Sequence, residues 1–434
     1  MIEFSVTMST RSVSTPNAAP PRVVITGLGL WTPLGSDRES TWASLLAGRS
    51  ASRWLTAPQW TGSEPLAGAP CESPLLDADA SRDPIVGLAL RAAREASRDA
   101  ALSASALASE RTGVVFGTSK GGLHTFSRLV ESPRSAREMP DSQCVDENWL
   151  DVWPDAAARA VARAFDCRGP MLCPVLACAT GLAACQRAAE WIREGVCDVV
   201  LAGSADASLQ PAILGSFRRL GVLARPSNDD PATACRPFDR DRNGFVIGEG
   251  AACLVFESLD HARSRQVNWY GEWLSGRMLT DPSGLTQLDP AGASLRRLLR
   301  DLSRDVPQRP DYINLHGTAT IPNDRVESSA IRDVLASEAG HVACSSLKGG
   351  LGHLLGAAGS VELAATLLAM RDQIVPPTVN LFARDPDFDL DFTPREARPR
   401  RVNLVWKLSL GFGGHLSAAC IGRLPGDGDR TRDT

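Results

Sequence analysis

The chain lacks the cysteine patterns that mark disulfide scaffolds or cysteine-rich zinc sites. It contains 11 cysteines among 434 residues, an odd number, and none of them forms a CxxC pair. This usage argues against a paired disulfide framework and against a zinc site built on cysteine pairs. Free cysteines are typical of a reducing compartment, so we expect a cytoplasmic location.

The chain also lacks a long apolar run and an excess of basic charge. No uninterrupted apolar stretch approaches the length of about 18 residues at which a membrane-spanning helix becomes plausible, and residues 1–20 have no secretory signal pattern. Lys and Arg number 46 against 50 Asp and Glu, which argues against nucleic acid as a partner. We expect no membrane contact and disordered tails at 1–20 and 425–434.

Hydrophobic residues make up 43% of the chain and charged residues 22%, as in an ordinary folded protein. Short β-branched segments alternate with segments of helical periodicity. Strands are predicted at 22–29, 113–117, 197–203, 251–257, at the start of 312–320, and at 341–346. Helices are predicted at 180–194, 295–302 and 361–370. The alternation predicts an α/β fold.

Two glycine-containing turns carry local predictions. Gly27 and Gly29 follow the first strand as a GxG pair, but Thr32 stands where a dinucleotide fingerprint needs its third glycine, so nucleotide binding is not favoured. Asn243-Gly244 is a hairpin signal, because a type I′ turn needs positive φ at both central positions. It predicts an antiparallel strand after the turn.

Cys178 lies where an apolar segment passes into a helical one, in the run ACATG. A cysteine at a helix N-terminus meets unpaired N–H groups and the positive end of the helix dipole, which favour the reactive thiolate. A strand, a nucleophile and a helix in this order are also typical of a nucleophile elbow. The alternative is that Cys178 is a small buried hydrophobe, as cysteines often are.

Two of the six histidines occur in similar settings, each near glycines that let the backbone approach a ligand. His316 leaves a strand in NLHGTAT, and His353 lies in the glycine-rich segment KGGLGHLLGAAG. Both side chains could face one pocket, although a single histidine is more often structural. Lys348 is either a surface residue or a buried cation that organises both histidines together with an acid such as Glu362.

Asp324 and Glu327 stand three residues apart before a helical segment. We interpret them as a capping box that closes the N-terminus of that helix.

Five motifs in order resemble those of the elongating, type II β-ketoacyl-acyl-carrier-protein synthases of the thiolase superfamily. They are ACATG around Cys178, RPFDRDRNGFVIGEGA from Arg236, HGTAT from His316, KGGLGHLLGAAG from Lys348, and GFGG at 411–414. The resemblance spans nearly everything from residue 23 to residue 422. It implies a thiolase-like five-layer αβαβα fold with two related halves, here 21–265 and 266–424, and a homodimer.

The resemblance also implies roles for individual residues. Cys178 would accept the acyl group, His316 and His353 would form the catalytic histidine pair, and Phe412 would be the gating residue of GFGG. The backbone N–H groups of Cys178 and Phe412 would form the oxyanion hole. Two residues match the family's supporting lysine and glutamate: Lys348 and Glu362.

The implied reaction is a decarboxylative Claisen condensation of an acyl group on Cys178 with malonyl-acyl carrier protein. The implied partner is acyl carrier protein carrying acyl and malonyl groups, and neither a cofactor nor a metal is expected. The alternative is a catalytically silent partner subunit, similar to a chain-length factor, although such subunits usually lack the nucleophile.

The chain departs from the family pattern in two places. His415-Leu416 stands where the family commonly has Thr-Asn after GFGG, and residues 281–286 differ from the run found in housekeeping enzymes. The hydrogen bonds of the GFGG loop are therefore expected to differ. The choice between fatty-acid synthesis and a specialised polyketide or polyene pathway stays open, as does acyl chain length.

Overall fold

The structure is a computed structural model, and it describes residues 19–57, 60, 62, 64–72, 82–131, 147–225 and 229–424. The two expected tails, 1–20 and 425–434, lie outside the described residues except for residues 19 and 20.

The described residues contain fifteen β-strands, numbered here in chain order. They are β1 (Val23–Trp31), β2 (Arg53–Trp54), β3 (Ala67–Ala69), β4 (Thr112–Gly117), β5 (Met171–Leu172), β6 (Val199–Asp206), β7 (Ile247–Gly248), β8 (Gly250–Ser258), β9 (Gly271–Thr280), β10 (Tyr312–Asn314), β11 (Ala343–Ser345), β12 (Ile374–Val375), β13 (Arg398–Pro399), β14 (Leu404–Gly411) and β15 (His415–Gly422).

Twelve α-helices accompany them in the described part of the chain. They are α1 (Arg38–Leu46), α2 (Pro84–Asp99), α3 (Ala104–Leu107), α4 (Leu123–Glu131), α5 (Ala156–Ala164), α6 (Thr180–Arg193), α7 (Pro211–Arg219), α8 (Leu259–Ser264), α9 (Ala293–Asp305), α10 (Ile321–Leu335), α11 (Lys348–Leu351) and α12 (Ala358–Asp372). Each predicted strand and helix has a counterpart here, with ends shifted by a few residues.

Ten strands form one sheet in the order β11-β10-β14-β15-β9-β1-β8-β6-β4-β5. Its two halves repeat the same pattern. In the first, β4 runs parallel to β5 and β6, and β8 then pairs antiparallel with β6 and β1. In the second, β10 runs parallel to β11 and β14, and β15 pairs antiparallel with β14 and β9. The chain therefore consists of two structurally related halves.

The halves meet where β1 pairs antiparallel with β9 through only two residue pairs. The repeat changes over between the end of α8 at Ser264 and the start of β9 at Gly271. The boundary between residues 265 and 266 lies within this connection and stays a prediction.

Helices complete a five-layer αβαβα arrangement, in which each half of the sheet forms one β layer. Helices α6 and α12 pack on each other and on strands of both halves, whereas α2 and α5 cover the first half and α9 and α10 the second. Thirteen of the fifteen residues of α12 are buried, as expected for a helix enclosed on all sides. Among the described helices, none combines the length and the apolarity needed to cross a lipid bilayer.

Gly27 and Gly29 of β1 allow α2 to pack closely. A Cβ atom at Gly27 would lie 2.3 Å from the carbonyl oxygen of Ala96, and one at Gly29 would lie 1.9 Å from that of Ala92. The two glycines of the GxG pair thus serve the packing of α2 on β1.

The hairpin predicted at Asn243-Gly244 is wrong. Gly244 has φ of +141°, outside the left-handed helical region that a type I′ turn requires, and Phe245 forms an isolated parallel bridge with Leu223. Its amide also donates to the carbonyl oxygen of Val222. Contacts with a segment about twenty residues upstream override the local turn signal.

Candidate active site

Cys178 lies in a short 3₁₀ turn, Ala177–Ala179, directly before α6. Ala177 has a φ of 47°, a strained conformation for a residue with a side chain. The hydroxyl of Thr180 accepts from the amide of Leu176 and donates to the carbonyl of Ala177, each at 2.8 Å. These bonds hold the turn. The order of strand, nucleophile and helix predicted from the sequence is also present, since β5 precedes Cys178 and α6 follows it.

The thiol of Cys178 is only 7% exposed. Burial raises its pKa to about 11, while the nearby charges of Lys120 and Lys348 act to lower it. Burial therefore opposes the effect expected of the helix N-terminus, because it disfavours the charged form. The thiol needs a base to take its proton.

His353 lies within hydrogen-bond distance of this thiol. Its Nε2 lies 3.1 Å from Cys178 Sγ. Its backbone is held from both sides, since its amide donates to the carbonyl of Val246 at 2.7 Å and its own carbonyl accepts from Gly248 at 3.0 Å. Phe245 packs edge-on against the ring at 5.0 Å between centroids. The motif RNGFVIGEG therefore positions His353.

His316 follows β10 and lies beside His353, with ring centroids 5.4 Å apart and an interplanar angle of 80°. Both imidazoles are buried, and burial together with the charge of Lys348 lowers the pKa of each well below 6.5. Both rings are therefore neutral at physiological pH. The Nδ1 atom of each has no hydrogen-bond partner among the described residues.

Lys348 is buried, not a surface residue. Its Nζ donates to the carbonyl oxygen of His316 at 2.5 Å and to Glu362 Oε1 at 2.6 Å. The other oxygen of Glu362 accepts from Lys407 Nζ at 2.6 Å. One carboxylate thus lies between two buried lysines, and the first of them contacts the backbone of a candidate catalytic histidine.

Lys407 was not found by sequence reasoning. It is a charged residue in the otherwise apolar strand LVWKLSLG just before GFGG, and a charge at such a position is rare unless it is paired. That exception to the strand pattern is the signal that could have identified it.

Asp324 and Glu327 do not form a capping box. Helix α10 begins after Thr320, which makes no side-chain cap. Glu327 instead accepts the amides of His316 at 2.6 Å and Gly317 at 2.8 Å, and Asp324 accepts the amide of Phe238 at 2.9 Å. Both carboxylates anchor neighbouring loops, and that of Glu327 fixes the backbone that carries His316.

Phe412 lies in the turn between β14 and β15. Its backbone amide faces the Cys178 sulfur and lowers the pKa of that thiol, and its ring stacks on Phe217 at 6.3 Å between centroids. A Cβ atom at Gly411 would lie 2.7 Å from the carbonyl oxygen of Leu176. Glycine at this position thus lets the GFGG turn pack directly against the nucleophile turn.

The two departures from the family pattern lie side by side. The amide of Gly413 donates to the carbonyl of Leu285 at 2.7 Å, and the amide of Asp281 donates to that of Gly414 at 2.8 Å. His415 starts β15, and Leu416 is buried in the core of the second half. The GFGG turn is thus tied to the loop 281–286 through backbone hydrogen bonds.

A cavity of about 330 Å³ opens onto the site. Cys178, His316, His353 and Phe412 all line it. The structure therefore brings the candidate nucleophile, both histidines and the GFGG loop to one cavity, which we call the entrance cavity. Lys348 and Glu362 lie behind it, where Lys348 contacts the His316 backbone and pairs with Glu362.

A duplicated αβαβα fold with a buried cysteine at a helix N-terminus, facing an imidazole, defines an acyltransferase of the thiolase-like class. Models of the β-ketoacyl synthase N-terminal and C-terminal domains match residues 21–262 and 275–382. The chain belongs to the β-ketoacyl synthase family, and it is an enzyme of the 3-oxoacyl-acyl-carrier-protein synthase kind.

Similar proteins come from both fatty-acid and polyketide synthesis. A 3-oxoacyl-[acyl-carrier-protein] synthase 2 of Coxiella burnetii is 34% identical, covering 93% of this chain and 99% of its own length. The ketoacyl synthase alpha subunit of the tetracenomycin polyketide synthase of Streptomyces glaucescens is 37% identical, covering 93% and 98%.

Solved structures are similar over the same range. A type II polyketide ketosynthase, determined in complex with its acyl carrier protein and bound to a hexaketide, superimposes with a TM-score of 0.84 at 30% identity, covering 94% of this chain and 100% of that one. A β-ketoacyl synthase of Burkholderia phymatum gives a TM-score of 0.82 at 30% identity, with coverages of 93% and 100%.

Proposed function

We propose that Cys178 is the nucleophile of a decarboxylative Claisen condensation, and that His316 and His353 form its catalytic pair. The observation that carries the proposal is the 3.1 Å contact between His353 Nε2 and Cys178 Sγ, two buried residues that line the entrance cavity. The substrates are acyl and malonyl groups carried by acyl carrier protein, in fatty-acid or polyketide-like chain elongation.

In the first half-reaction, the sulfur of Cys178 attacks the acyl thioester. The new S–acyl bond forms as the bond to the carrier sulfur breaks, and the thiol proton passes through His353 Nε2 to the departing sulfur. The amides of Cys178 and Phe412 donate to the oxyanion. A buried neutral thiol beside a neutral imidazole suits this route, because no charge exists before the attack.

In the second half-reaction, malonyl carrier protein loses CO₂. The electron pair of the broken C–C bond forms an enolate, whose oxygen receives hydrogen bonds from His316 and His353. The enolate carbon then attacks the acyl-cysteine, and the bond to the Cys178 sulfur breaks. The released thiolate takes a proton from water, because its original proton left with the carrier sulfur. The low pKa of each histidine supports this role, since a neutral imidazole has one N–H to donate.

The family's supporting pair, Lys348 and Glu362, acts as a positioning unit in this proposal. Lys348 contacts the carbonyl of His316 and not its ring. It therefore holds the backbone of His316, while burial and its charge together keep both imidazoles neutral.

The silent-partner alternative is not favoured by the geometry. A subunit without catalysis has no need for a thiol–imidazole contact within an open cavity, nor for two neutral histidines beside it.

Because the ten described cysteines are all free thiols, their state supports a cytoplasmic location.

A homodimer is proposed from the edge of the sheet. Strand β5 forms one edge of the ten-stranded sheet, and Met171, Leu172 and Val175 are 43%, 41% and 46% exposed. An apolar strand edge open to water is a pairing surface, and a second copy of the chain would cover it.

Intact-protein mass after mixing with acyl carrier proteins of several chain lengths tests the nucleophile. We expect a gain of one acyl group that Cys178→Ala abolishes. His316→Ala and His353→Ala should each slow CO₂ release from malonyl carrier protein by about 100-fold, equal to about 3 kcal/mol of barrier. If folded protein gains no acyl group from any carrier, the silent-partner alternative replaces this proposal.

A further inference from the structure

Lys120 is a charged residue near the site that the proposed mechanism does not use. It follows β4 and is half-buried, and its Nζ donates to the hydroxyls of Ser119 at 2.7 Å and Ser208 at 3.2 Å. Its ammonium also lies 5.7 Å from the ring centroid of Phe217. These contacts hold the ammonium in one place.

The contacts of Lys120 do not neutralise its charge directly. Within the described part of the chain it forms no ion pair with a carboxylate. Asp206 is one hydroxyl further away, because the hydroxyls of both Ser119 and Ser208 donate to it. Two hydroxyl acceptors leave one N–H of the ammonium to be satisfied.

The ammonium lies close to the nucleophile. Burial raises the pKa of the Cys178 thiol and lowers that of the His353 imidazole, and the charge of Lys120 acts to lower both. The segment that carries it contacts the site, since a Cβ atom at Gly356, three residues after His353, would lie 2.4 Å from the amide of Ser119. Lys120 is nevertheless not among the described residues that line the entrance cavity.

An acyl group that extends from Cys178 away from the entrance cavity would meet an apolar cluster. Apart from the entrance cavity, the thiol belongs to an apolar cluster that includes Leu209, Leu214 and Phe217. Lys120 contacts Phe217, which belongs to this cluster, and Ser208, which directly precedes Leu209 in the chain. We call this side the acyl wall. It is apolar next to the thiol and ends in a fixed cation.

We propose that Lys120 is a specificity-determining residue that makes the acyl wall prefer acyl groups with an oxygen acceptor, a ketone or a carboxylate, several carbons from the thioester. This rests on the proposed acylation of Cys178. A saturated chain would bury the ammonium without giving its remaining N–H an acceptor, and burying an unpaired charged donor is costly. A carbonyl or carboxylate oxygen would accept its N–H instead, and hydrogen bonds to charged donors are the stronger ones.

The test compares three acyl groups of equal length on acyl carrier protein: hexanoyl, δ-ketohexanoyl and adipoyl. Acetyl, which is too short to reach the ammonium, serves as the internal reference. Rates of Cys178 acylation are measured by intact mass for the wild type, for Lys120→Met, and for Lys120→Arg as the matched control that keeps the charge.

In the wild type we expect δ-ketohexanoyl or adipoyl to react about tenfold faster than hexanoyl relative to acetyl, as one charged hydrogen bond allows. Lys120→Met should remove or reverse this preference, and Lys120→Arg should keep it. A preference for adipoyl alone assigns the subsite to carboxylates, and one shared with δ-ketohexanoyl assigns it to acceptor oxygens in general.

Two results would overturn the inference and leave the proposed function intact. One is a wild type that acylates all three groups at equal rates or prefers hexanoyl. The other is an equal loss for every acyl group, acetyl included, in Lys120→Met, which would mean that Lys120 only activates the thiol. Absence of any acylation would instead contradict the proposed function itself.

Discussion

At the scale of single residues, the site depends on groups whose charge is set by burial. The Cys178 thiol and the His353 imidazole face each other at 3.1 Å, and burial favours the neutral form of both. Lys348, Lys407 and Lys120 bring positive charge to this region. The electrostatic character of the site therefore depends on Lys348 and on the residue that shares its carboxylate partner.

That residue is Lys407, and its titration should be visible in the reaction. Burial lowers its pKa to about 8, with Glu362 opposing the shift and Lys348 adding to it; Glu327 is a further acid nearby that opposes it. The ammonium is therefore present below pH 8 and lost above it. CO₂ release from malonyl carrier protein by the wild type should fall on an alkaline limb with a midpoint near this pH.

Lys407→Met should remove this limb and lower the rate at neutral pH about tenfold, because one oxygen of buried Glu362 loses its partner. Acylation of Cys178 should change less. Lys407→Arg keeps the charge at all these pH values, so any activity that it retains should show no limb. An unchanged limb in Lys407→Met would exclude Lys407 as its source.

At the scale of elements, helix α10 serves the site through its buried acidic face. Glu327 holds two backbone amides of the His316 loop, and a buried amide left without an acceptor is costly. Glu327→Ala should therefore lower the free energy of unfolding by about 2 kcal/mol. It should also slow CO₂ release more than it slows acylation, because it loosens His316.

The same carboxyl group should contribute to the pH dependence of stability. Burial raises the pKa of Glu327 to about 7 from its ordinary 4.5. The folded state then binds more protons than the unfolded state between these values, so this contribution is complete below pH 4.5 and is lost as the pH rises through 7. Urea unfolding of Glu327→Gln across this range should show a smaller fall in stability than the wild type.

The contact between α6 and α12 makes a second prediction at this scale. A Cβ atom at Gly359 would lie 2.4 Å from the amide of Leu182, and Ser204 and Ser360 share a hydroxyl hydrogen bond of 2.6 Å beside it. Gly359→Ala should push the helices apart, at a cost of about 2 kcal/mol, and slow acylation by displacing the turn that carries Cys178.

Gly215 provides the matched control. It lies within α7, and a Cβ atom there would meet nothing within 4 Å. Gly215→Ala should therefore be neutral or stabilise by up to about 1 kcal/mol. The unfolding temperatures and acylation rates of both variants should be measured. If Gly359→Ala and Gly215→Ala have the same unfolding temperature and acylation rate, the close-packing argument is contradicted.

At the scale of the whole molecule, the repeated sheet pattern gives each half a parallel edge strand, β5 in the first and β11 in the second. Only the first edge presents large exposed apolar side chains, since the residues of β11 are buried. Of these two edges, β5 is therefore the candidate surface of the proposed homodimer, and it adjoins the segment leading to Cys178.

Leu172→Lys should convert the proposed homodimer into a monomer, because a charge buried in an apolar interface is costly. Sedimentation equilibrium should give twice the chain mass for the wild type and the single mass for the variant. Met278→Lys, at a 41% exposed position of β9, is the control and should remain dimeric. A monomeric wild type, or a dimer in Leu172→Lys, would contradict the proposed surface.

The sequence by itself determined the class of fold and the family, and the candidate residues that the structure gathers in and behind one cavity. It could do so because these signals are local: a cysteine before a helix, histidines among glycines, five short motifs in order. The repeat of two halves and the five layers, which the resemblance implied, are present in the sheet order. The roles of these residues stay predictions.

Only the tertiary structure decided which groups are charged and what they contact. Lys407 meets Glu362 across 45 positions of the chain, and the loop of Lys120 reaches Asp206 across 87, so neither contact is visible in a window of neighbours. The predicted hairpin and capping box were wrong for the same reason. Each relied on local preferences worth about 1 kcal/mol, and burial and long-range packing outweigh preferences of that size.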